Sequence, residues 1–351
     1  MTSCRRISSA GTSMSLAWRL IESKGLNAGM ARLRKGSDVL MIGLAVFVLL
    51  VNTAAAESTP KAAIPGLSQI TRVNLQVDAE FTQKGKKARE IEETKFLGKV
   101  AEELKRRGIK ATIFVTADFA NTNPYLLKDL FKDGFEIALH GHSTGEQLAT
   151  MTKEAQKDLL TRAKAAVEGC LECGSLLPVT GFRPQNFSQN SFTYEIHAEL
   201  GIRYNSGFKA YPFLPRHGNR VEPYWDQNHS IWIVPISTLH YKGDWVCLCD
   251  LSAQEKFKSE EWREILFLKL EEAYEKREPL VIVIHGWLTG DEKNHGYWRG
   301  FLDFLDYAQD RKIEFVTTKG LIEAYGPRKF EDPSEGMGGM KIPQYQFWKE
   351  P

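Results

Sequence analysis

Two carboxylates and two imidazoles lie at the ends of apolar segments of this 351-residue chain. Asp78 and Glu80 close the segment VNLQVDAEF, and His140 and His142 close the segment FEIALHGH. Side chains two residues apart on a strand point to the same face. The carboxylates are therefore predicted to converge on one site, and the imidazoles do the same if the backbone stays extended through the intervening glycine.

Imidazole and carboxylate together are the usual ligands of zinc and other divalent first-row metals. One carboxylate could ligate such a cation while the other takes a proton from water, and the metal would polarise a carbonyl and activate bound water. Two solvated acids at a strand end are the alternative for the carboxylates. For His142 the alternative is a surface residue that donates a hydrogen bond.

Further candidates lie later in the chain. His285 follows five apolar residues in LVIVIHG, which is typical either of a general acid or of a hydrogen-bonded core histidine. Arg183, in GFRPQNF, could orient a carboxylate by a bidentate contact or pair with an acid elsewhere. Aromatic surface in loops, suited to stacking on sugar rings or to ordinary packing, is predicted at Trp225, Trp245 and Trp287.

These residues need a scaffold, and the chain supplies one by alternating strand-like and helical segments. Apolar strands such as VIVIH, separated by amphipathic helices, predict an α/β fold with a parallel sheet covered by helices. About seven strands in one continuous run favour a barrel, in which active residues lie at the C-terminal ends of the strands. The candidates fall at such ends.

The N-terminal region has a different composition. An uncharged apolar run, residues 39–51, follows basic residues and precedes NTAAAES, the pattern of a secretory signal peptide. We predict a leader over residues 1–56, with Met30 as an alternative start, and a periplasmic or secreted product. The run is short for a membrane-spanning helix, so a membrane is a partner only if the leader stays uncleaved as an anchor.

The remaining chain is predicted to form a linker (57–72), the barrel (73–326) and a loose C-terminal tail (327–351). A net charge of +2 and 26% charged residues argue against a dedicated nucleic-acid-binding protein. Four cysteines outside the leader come as two close pairs, Cys170 with Cys173 and Cys247 with Cys249. Disulfides, a structural metal site and free thiols are all compatible with this spacing. The sequence does not indicate an oligomeric state.

The ordered segments VDAE, EIALHGHST, PVTGFRP and LVIVIHG resemble the motifs of the polysaccharide deacetylase family, also called carbohydrate esterase family four. The resemblance runs from about Val73 to Tyr325 and implies a distorted (β/α) barrel. It also implies a hydrolase acting on carbon–nitrogen bonds, which removes acetyl or similar acyl groups from a glycan.

The resemblance gives each position a role. Asp78 matches the general base, Arg183 the residue that orients it, and His285 the acid that protonates the leaving amine. Glu80 and His140 match metal ligands. The family's second metal histidine corresponds to Thr144, so we predict that His142, or else Glu146, substitutes for it.

The third motif also departs from the family pattern, with Gln185 and Asn186 in place of a proline and an aromatic residue. We therefore expect an exported deacetylase that uses a divalent metal, zinc, to activate water. A metal-independent amide hydrolase of the same fold and a non-catalytic glycan-binding or assembly protein are the two alternatives.

Overall fold

The computed structural model of the chain describes residues 71–171, 179–212 and 220–325. The chain divides into two units, residues 1–65 and 66–351, and all described residues belong to the second. The predicted leader, the predicted tail and the linker up to residue 70 lie outside the described residues and stay predictions. No helix within the described ranges is long and apolar enough to cross a membrane.

The strands and helices alternate through most of the chain. The strands are β1 (Arg72–Ala79), β2 (Thr112–Val115), β3 (Glu136–Leu139), β4 (Gly181–Phe182), β5 (Tyr204–Lys209), β6 (Tyr224–Asp226), β7 (Ile231–Ile236), β8 (Thr238–Tyr241), β9 (Asp244–Cys247), β10 (Leu280–His285) and β11 (Glu314–Phe315). The helices are α1 (Lys87–Arg106), α2 (Ala117–Thr122), α3 (Pro124–Lys132), α4 (Lys153–Leu171), α5 (Ser191–Glu199), α6 (Asp250–Gln254), α7 (Ser259–Lys276), α8 (Gly286–Thr289), α9 (Glu292–His295), α10 (Tyr297–Asp310) and α11 (Thr318–Tyr325).

The main sheet has the order β10–β1–β2–β3–β4–β5–β7–β6, with β11 also paired to β1. Successive strands from β10 to β7 are parallel, and β6 runs antiparallel to β7. The strands β10, β1, β2, β3, β4, β5 and β7 make the predicted set of seven. The predicted α/β fold with a mainly parallel sheet is confirmed.

The barrel is distorted where β7 approaches β10. Instead of a continuous ladder, the backbone N–H of Ser237 donates to the carbonyl of Val281 at 3.1 Å, and the N–H of Val283 donates to the carbonyl of Leu248 at 2.8 Å. The hydroxyl of Ser237 accepts the N–H of Val281 at 2.9 Å. Single contacts from the segments flanking the β8–β9 hairpin therefore close the wall.

The alternation of β1 separates two layers of the core. Its odd-numbered residues from Val73 to Val77 pack with buried helical side chains such as Leu97 and Trp262. Its even-numbered residues from Asn74 to Asp78 point the other way, into the barrel, and are also buried. A polar row thus runs along the inside of β1 toward the C-terminal ends of the strands.

Two parts of the predicted secondary structure were wrong. The amphipathic sequence of residues 253–278 by itself predicts one long helix, but the structure has two helices there, α6 and α7. A new helix begins because the Glu261 carboxylate accepts the backbone N–H of Lys258 at 3.1 Å, one half of a capping box. The three tryptophans predicted in loops lie in β6 (Trp225), β9 (Trp245) and α8 (Trp287).

Candidate active site

Four buried side chains meet at the C-terminal ends of β1, β3 and β10. Asp78 lies in β1, and Glu80 and His140 directly follow β1 and β3. His285 is the last residue of β10 and the register partner of Asp78 on the neighbouring parallel strand. The sheet therefore brings together residues that lie 207 positions apart, counted from 78 to 285.

The four side chains surround one small space. Nε2 of His140 lies 3.5 Å from Oδ2 of Asp78 and 3.9 Å from Oε2 of Glu80. Nε2 of His285 lies 3.7 Å from the same Asp78 oxygen and 3.8 Å from Oε1 of Glu80. Both imidazoles thus face both carboxylates, as the spacing of Asp78 and Glu80 on one strand predicts.

Arg183 follows β4 and binds Asp78 from inside the barrel. Its Nε and Nη2 donate to Oδ1 of Asp78 at 3.0 and 2.6 Å, and its guanidinium stacks 4.1 Å from the ring centre of Phe114. Burial alone would raise the pKa of the Asp78 carboxyl, but Arg183, with smaller contributions from His140 and His285, lowers it below the ordinary value. Asp78 is therefore ionised at neutral pH, and its Oδ2 is left facing the site.

Asp250 at the start of α6 holds His285, and the sequence analysis missed this residue. Its Oδ1 lies 2.6 Å from Nδ1 of His285, and its Oδ2 accepts the His285 backbone N–H at 2.8 Å and the Thr289 hydroxyl at 2.7 Å. The only local signal was an acid directly after the strand-like segment WVCLC.

The same pair sets the charge of His285. Burial alone would lower the pKa of its imidazole, yet Asp250, together with Asp78 and Glu80, raises it to about 9. His285 can therefore carry a proton on Nε2, toward the site, at neutral pH.

The donor set fits a divalent cation. Nδ1 of His140 bonds the Arg183 carbonyl at 2.9 Å, and since a carbonyl only accepts, Nε2 is the nitrogen that faces the carboxylates and would offer its lone pair to a metal in the neutral ring. Oε2 of Glu80 is buried and has no hydrogen-bond partner among the described residues. Nε2 of His140 lies 3.5 and 3.9 Å from the Asp78 and Glu80 oxygens, slightly wider than the roughly 3.4 Å between ligand atoms of a tetrahedral zinc site.

His142 does not reach this group, contrary to the prediction. β3 ends at Leu139, and Gly141 has a φ of +91°, so the backbone turns instead of staying extended. Nδ1 of His142 lies 3.0 Å from the Ser143 hydroxyl and 3.9 Å from Oδ1 of Asp118.

The two other residues considered for this role also lie elsewhere. Thr144 is exposed in the turn. The Glu146 carboxylate accepts the backbone N–H groups of His142 and Ser143 at 3.0 and 2.7 Å, so it holds the loop together. None of the three substitutes for the family's second metal histidine in the structure.

Gln185 ties this loop to the strand end. Its Nε2 donates to the His140 carbonyl at 3.0 Å, and its Oε1 accepts the Gly145 N–H at 3.3 Å. The next two residues, Asn186 and Phe187, have φ values of 50° and 57°, an uncommon conformation for non-glycine residues. Gln185, which replaces the proline of the family pattern, therefore connects the end of β3 at His140 to the following loop.

A second possible ligand group, formed by Cys249, Asp250 and His285, is a poor metal site. The three present ligand atoms within 4.8 Å of one another. Both Asp250 oxygens already accept hydrogen bonds. Burial raises the pKa of the Cys249 thiol, with Cys247 and Asp250 adding to the effect, so in the metal-free protein this thiol is protonated at neutral pH.

The cysteine alternatives are partly resolved. Cys170, Cys247 and Cys249 are present as thiols, so Cys247 and Cys249 are not joined to each other. Cys173 lies outside the described residues. A structural metal site that includes the Cys170–Cys173 pair stays untested.

Comparison with known proteins supports the family resemblance in part of the chain. The sequence model of the polysaccharide deacetylase family matches residues 90–205, which include His140 and Arg183. The resemblance predicted from the motifs is confirmed over these residues, and the match supports the predicted hydrolase of the deacetylase type that acts on carbon–nitrogen bonds. No curated protein matches the chain in sequence.

Solved structures share the fold at low sequence identity. A protein of Mycobacterium smegmatis described as a polysaccharide deacetylase has a TM-score of 0.58 at 17% identity, over 74% of this chain and 91% of that one. One of Pseudomonas aeruginosa PAO1 described in the same way has a TM-score of 0.58 at 16%, over 74% and 92%. The Puue allantoinase has a TM-score of 0.58 at 15%, over 74% and 91%.

Proposed function

Because the chain carries a polysaccharide deacetylase domain of divergent sequence, we propose that it is an exported hydrolase that removes acetyl or similar acyl groups from a glycan. One observation carries this proposal. Asp78 and His285 lie 3.7 Å apart, and each is held by its own charged partner, Arg183 and Asp250 respectively. A base and an acid in such an arrangement can move two protons at one reacting carbon.

Asp78 acts as the base in this proposal. Its Oδ1 is occupied by Arg183, so Oδ2 is the oxygen free to take a proton from a water molecule as that water attacks the acyl carbon. The new carbon–oxygen bond converts the carbonyl carbon to a tetrahedral centre. Arg183 keeps Asp78 ionised and oriented for this step.

His285 acts as the acid. Asp250 binds Nδ1 and stabilises the charged imidazole, so the Nε2 proton points to the site. Transfer of this proton to the sugar nitrogen accompanies cleavage of the carbon–nitrogen bond. The products are the free amine and the carboxylic acid.

Glu80 and His140 would hold a divalent metal, for which we propose zinc, with Asp78 Oδ2 facing the same space. The metal would polarise the acyl carbonyl and make the attacking water more acidic. This role explains a buried carboxylate oxygen that lacks a hydrogen-bond donor, since a buried polar atom without a partner is otherwise unfavourable.

The test combines metal analysis with product detection. The full chain is purified, its metal content is measured, and acetate release is followed on acetylated chito-oligosaccharides and on peptidoglycan. We expect about one equivalent of divalent metal and acetate release that stops on chelation and returns with added zinc. Absence of both bound metal and acetate release would overturn the proposal.

Asp78→Asn is the matched variant for the proposed base, because an amide oxygen still accepts the Arg183 hydrogen bonds. We expect the metal to stay bound through Glu80 and His140 while turnover falls by about 10²–10⁴-fold. Turnover equal to that of the wild type would remove Asp78 from the role of base.

A metal-independent hydrolase of a non-sugar amide is the second candidate. The observation in its favour is that His142 lies against Asp118, and that Thr144 is exposed, so neither supplies a further ligand. The likeness to an allantoinase adds a second class of carbon–nitrogen substrate to test. Full activity after exhaustive chelation, on an amide or ureide substrate, favours this candidate, and strict metal dependence excludes it.

Export is proposed from the N-terminal sequence. The basic flank, the apolar run over residues 39–51 and the small residues that follow support a signal sequence. Expression with fractionation, followed by N-terminal sequencing, tests it. A mature protein that begins near residue 57 in the periplasm or medium is expected, and an uncleaved cytoplasmic product would contradict it.

A further inference from the structure

We infer that Asn74 and Gln76 form a positioning relay that sets the orientation of Arg183 and, through it, of the base Asp78. The relay residues and Asp78 occupy alternate positions of β1 and share its inward face. All three are buried. The expected effect of the relay on turnover rests on the proposed function, in which Asp78 takes a proton from water. The expected effect on the orientation of Arg183 does not depend on that function.

The relay begins at a backbone carbonyl. Nδ2 of Asn74 donates to the carbonyl of Val316, beside β11, at 3.0 Å. A backbone carbonyl can only accept, so the amide nitrogen of Asn74 must face it and the amide oxygen must face the other way. Nε2 of Gln76 donates to that oxygen at 2.7 Å.

The orientation of the Asn74 amide determines that of the Gln76 amide, which in turn contacts Arg183. With its amide nitrogen on Asn74, Gln76 presents Oε1 to the guanidinium, and Nη1 of Arg183 donates to it at 2.6 Å. Nε2 of Gln76 also donates to the Thr318 hydroxyl at 3.2 Å. The Ser206 hydroxyl lies 3.0 Å from Gln76 Oε1 and 2.9 Å from the Val234 carbonyl, so its one proton is shared between these two acceptors. One full donor, Arg183, and two acceptors, Asn74 and Thr318, hold the Gln76 amide in one orientation.

This contact fixes the one motion that the other Arg183 contacts allow. The guanidinium carbon of Arg183 lies over the Phe114 ring, 4.1 Å from its centre, and this contact does not stop the guanidinium from rotating. The Nε and Nη2 bonds meet on a single Asp78 oxygen, so they act as a pivot. The Nη1 bond to Gln76 lies on the other branch of the guanidinium and prevents rotation about that pivot.

The test uses Gln76→Met in the full chain, which keeps the side-chain length but offers no acceptor to Arg183. We expect kcat on the acetylated substrate to fall about 10- to 100-fold with KM changed less than about threefold. The matched control is Gln156→Met on α4. Gln156 is equally buried and donates to Asn190 and to the Leu148 carbonyl, away from Arg183, so its kcat should stay within about twofold.

A double-mutant cycle separates positioning from general loss of structure. If Gln76 acts through Arg183, Gln76→Met should lower kcat less than about threefold in an Arg183→Lys background. A purely structural role predicts the same fold loss in both backgrounds, and that result would overturn the relay.

Crystal structures make the test independent of activity. In Gln76→Met we expect the guanidinium to rotate so that one of its two bonds to Asp78 Oδ1 opens beyond about 3.5 Å. Both bonds kept at their wild-type lengths would overturn the relay. An inactive wild type with a rotated Arg183 in the variant would overturn the proposed function and leave the relay supported.

Asn74→Asp covers the case in which Gln76→Met does not fold. The substitution keeps the side-chain shape but places an oxygen against the Val316 carbonyl. The hydrogen bond that orients the side chain at position 74, and through it the Gln76 amide, is then lost. We expect kcat to fall about tenfold with the same rotation of Arg183, and an unchanged kcat and structure would contradict the inference.

Discussion

Arg183 donates two hydrogen bonds to one oxygen of Asp78, Oδ1, and leaves the other, Oδ2, within 3.5 Å of His140 and 3.7 Å of His285. The two oxygens of one carboxylate therefore have separate surroundings. Oδ1 is anchored in the barrel, and Oδ2 belongs to the reaction space. A buried anion is retained here because its partner is equally buried and well aligned.

The first prediction concerns this ion pair. Arg183→Met leaves the Asp78 charge buried without its main partner, and we expect the free energy of unfolding to fall by about 3–5 kcal/mol. Urea denaturation at neutral pH measures the change. Adding Asp78→Asn should recover part of the loss because the unpaired charge is removed, and an additive double variant would show that the pair is not coupled.

A second prediction concerns Glu80, whose Oε2 has no hydrogen-bond donor among the described residues. Glu80→Gln removes a proposed ligand charge while breaking no hydrogen bond at that atom. We expect metal affinity to fall at least about tenfold and turnover to fall with it, with the melting temperature of the metal-free protein unchanged or raised. Metal titration and calorimetry of the metal-free protein check both parts. Full metal retention with full activity would contradict a ligand role.

A third prediction concerns the partner of the proposed acid. Asp250→Asn no longer stabilises the charged imidazole of His285, so we expect kcat to fall about 10²–10⁴-fold with little change in KM. The matched control is Asp226→Asn. Asp226 is also buried and lies 2.7 Å from Nδ1 of a histidine, His229, but outside the site, so kcat should be nearly unchanged. Equal losses in the two variants would indicate a structural role for Asp250.

The parts of the site that follow strand periodicity could be predicted from the sequence. Asp78 and Glu80 converge because β1 is regular at that point, and His285 is placed beside Asp78 by parallel register. His142 could not be placed by the same rule. The rule fails one residue beyond His140, where the positive φ of Gly141 ends the extended backbone.

Asp250 and the relay could not be predicted, for a different reason. Their roles depend on contacts between segments far apart in the chain, such as Asp250 with His285 and Asn74 with the carbonyl of Val316. In the sequence of β1 alone, Gln76 is an ordinary inward-facing strand residue. Its contact with the Thr318 hydroxyl of α11 exists only in the folded barrel. Local sequence patterns predict which face of a strand a residue occupies. They do not predict contacts that form only when distant segments meet in the closed barrel.

The last prediction concerns a histidine outside the site. His197 on α5 is buried between Phe182 and Tyr194, and neither of its ring nitrogens has a hydrogen-bond partner among the described residues. Burial, and to a smaller extent His229, lowers its pKa to about 3, so the folded protein keeps this ring neutral where the unfolded chain protonates it. The stability associated with the neutral ring is therefore fully present above about pH 6.5 and is lost as the pH falls toward 3, by up to about 1.4 kcal/mol per pH unit.

We expect the free energy of unfolding of His197→Phe to fall by about 3 kcal/mol less than that of the wild type between pH 6.5 and pH 4, as measured by urea denaturation at each pH. His240→Gln, a change at an exposed histidine of β8, should leave the pH dependence as it is, and an unchanged dependence in His197→Phe would show that the buried ring is not its source.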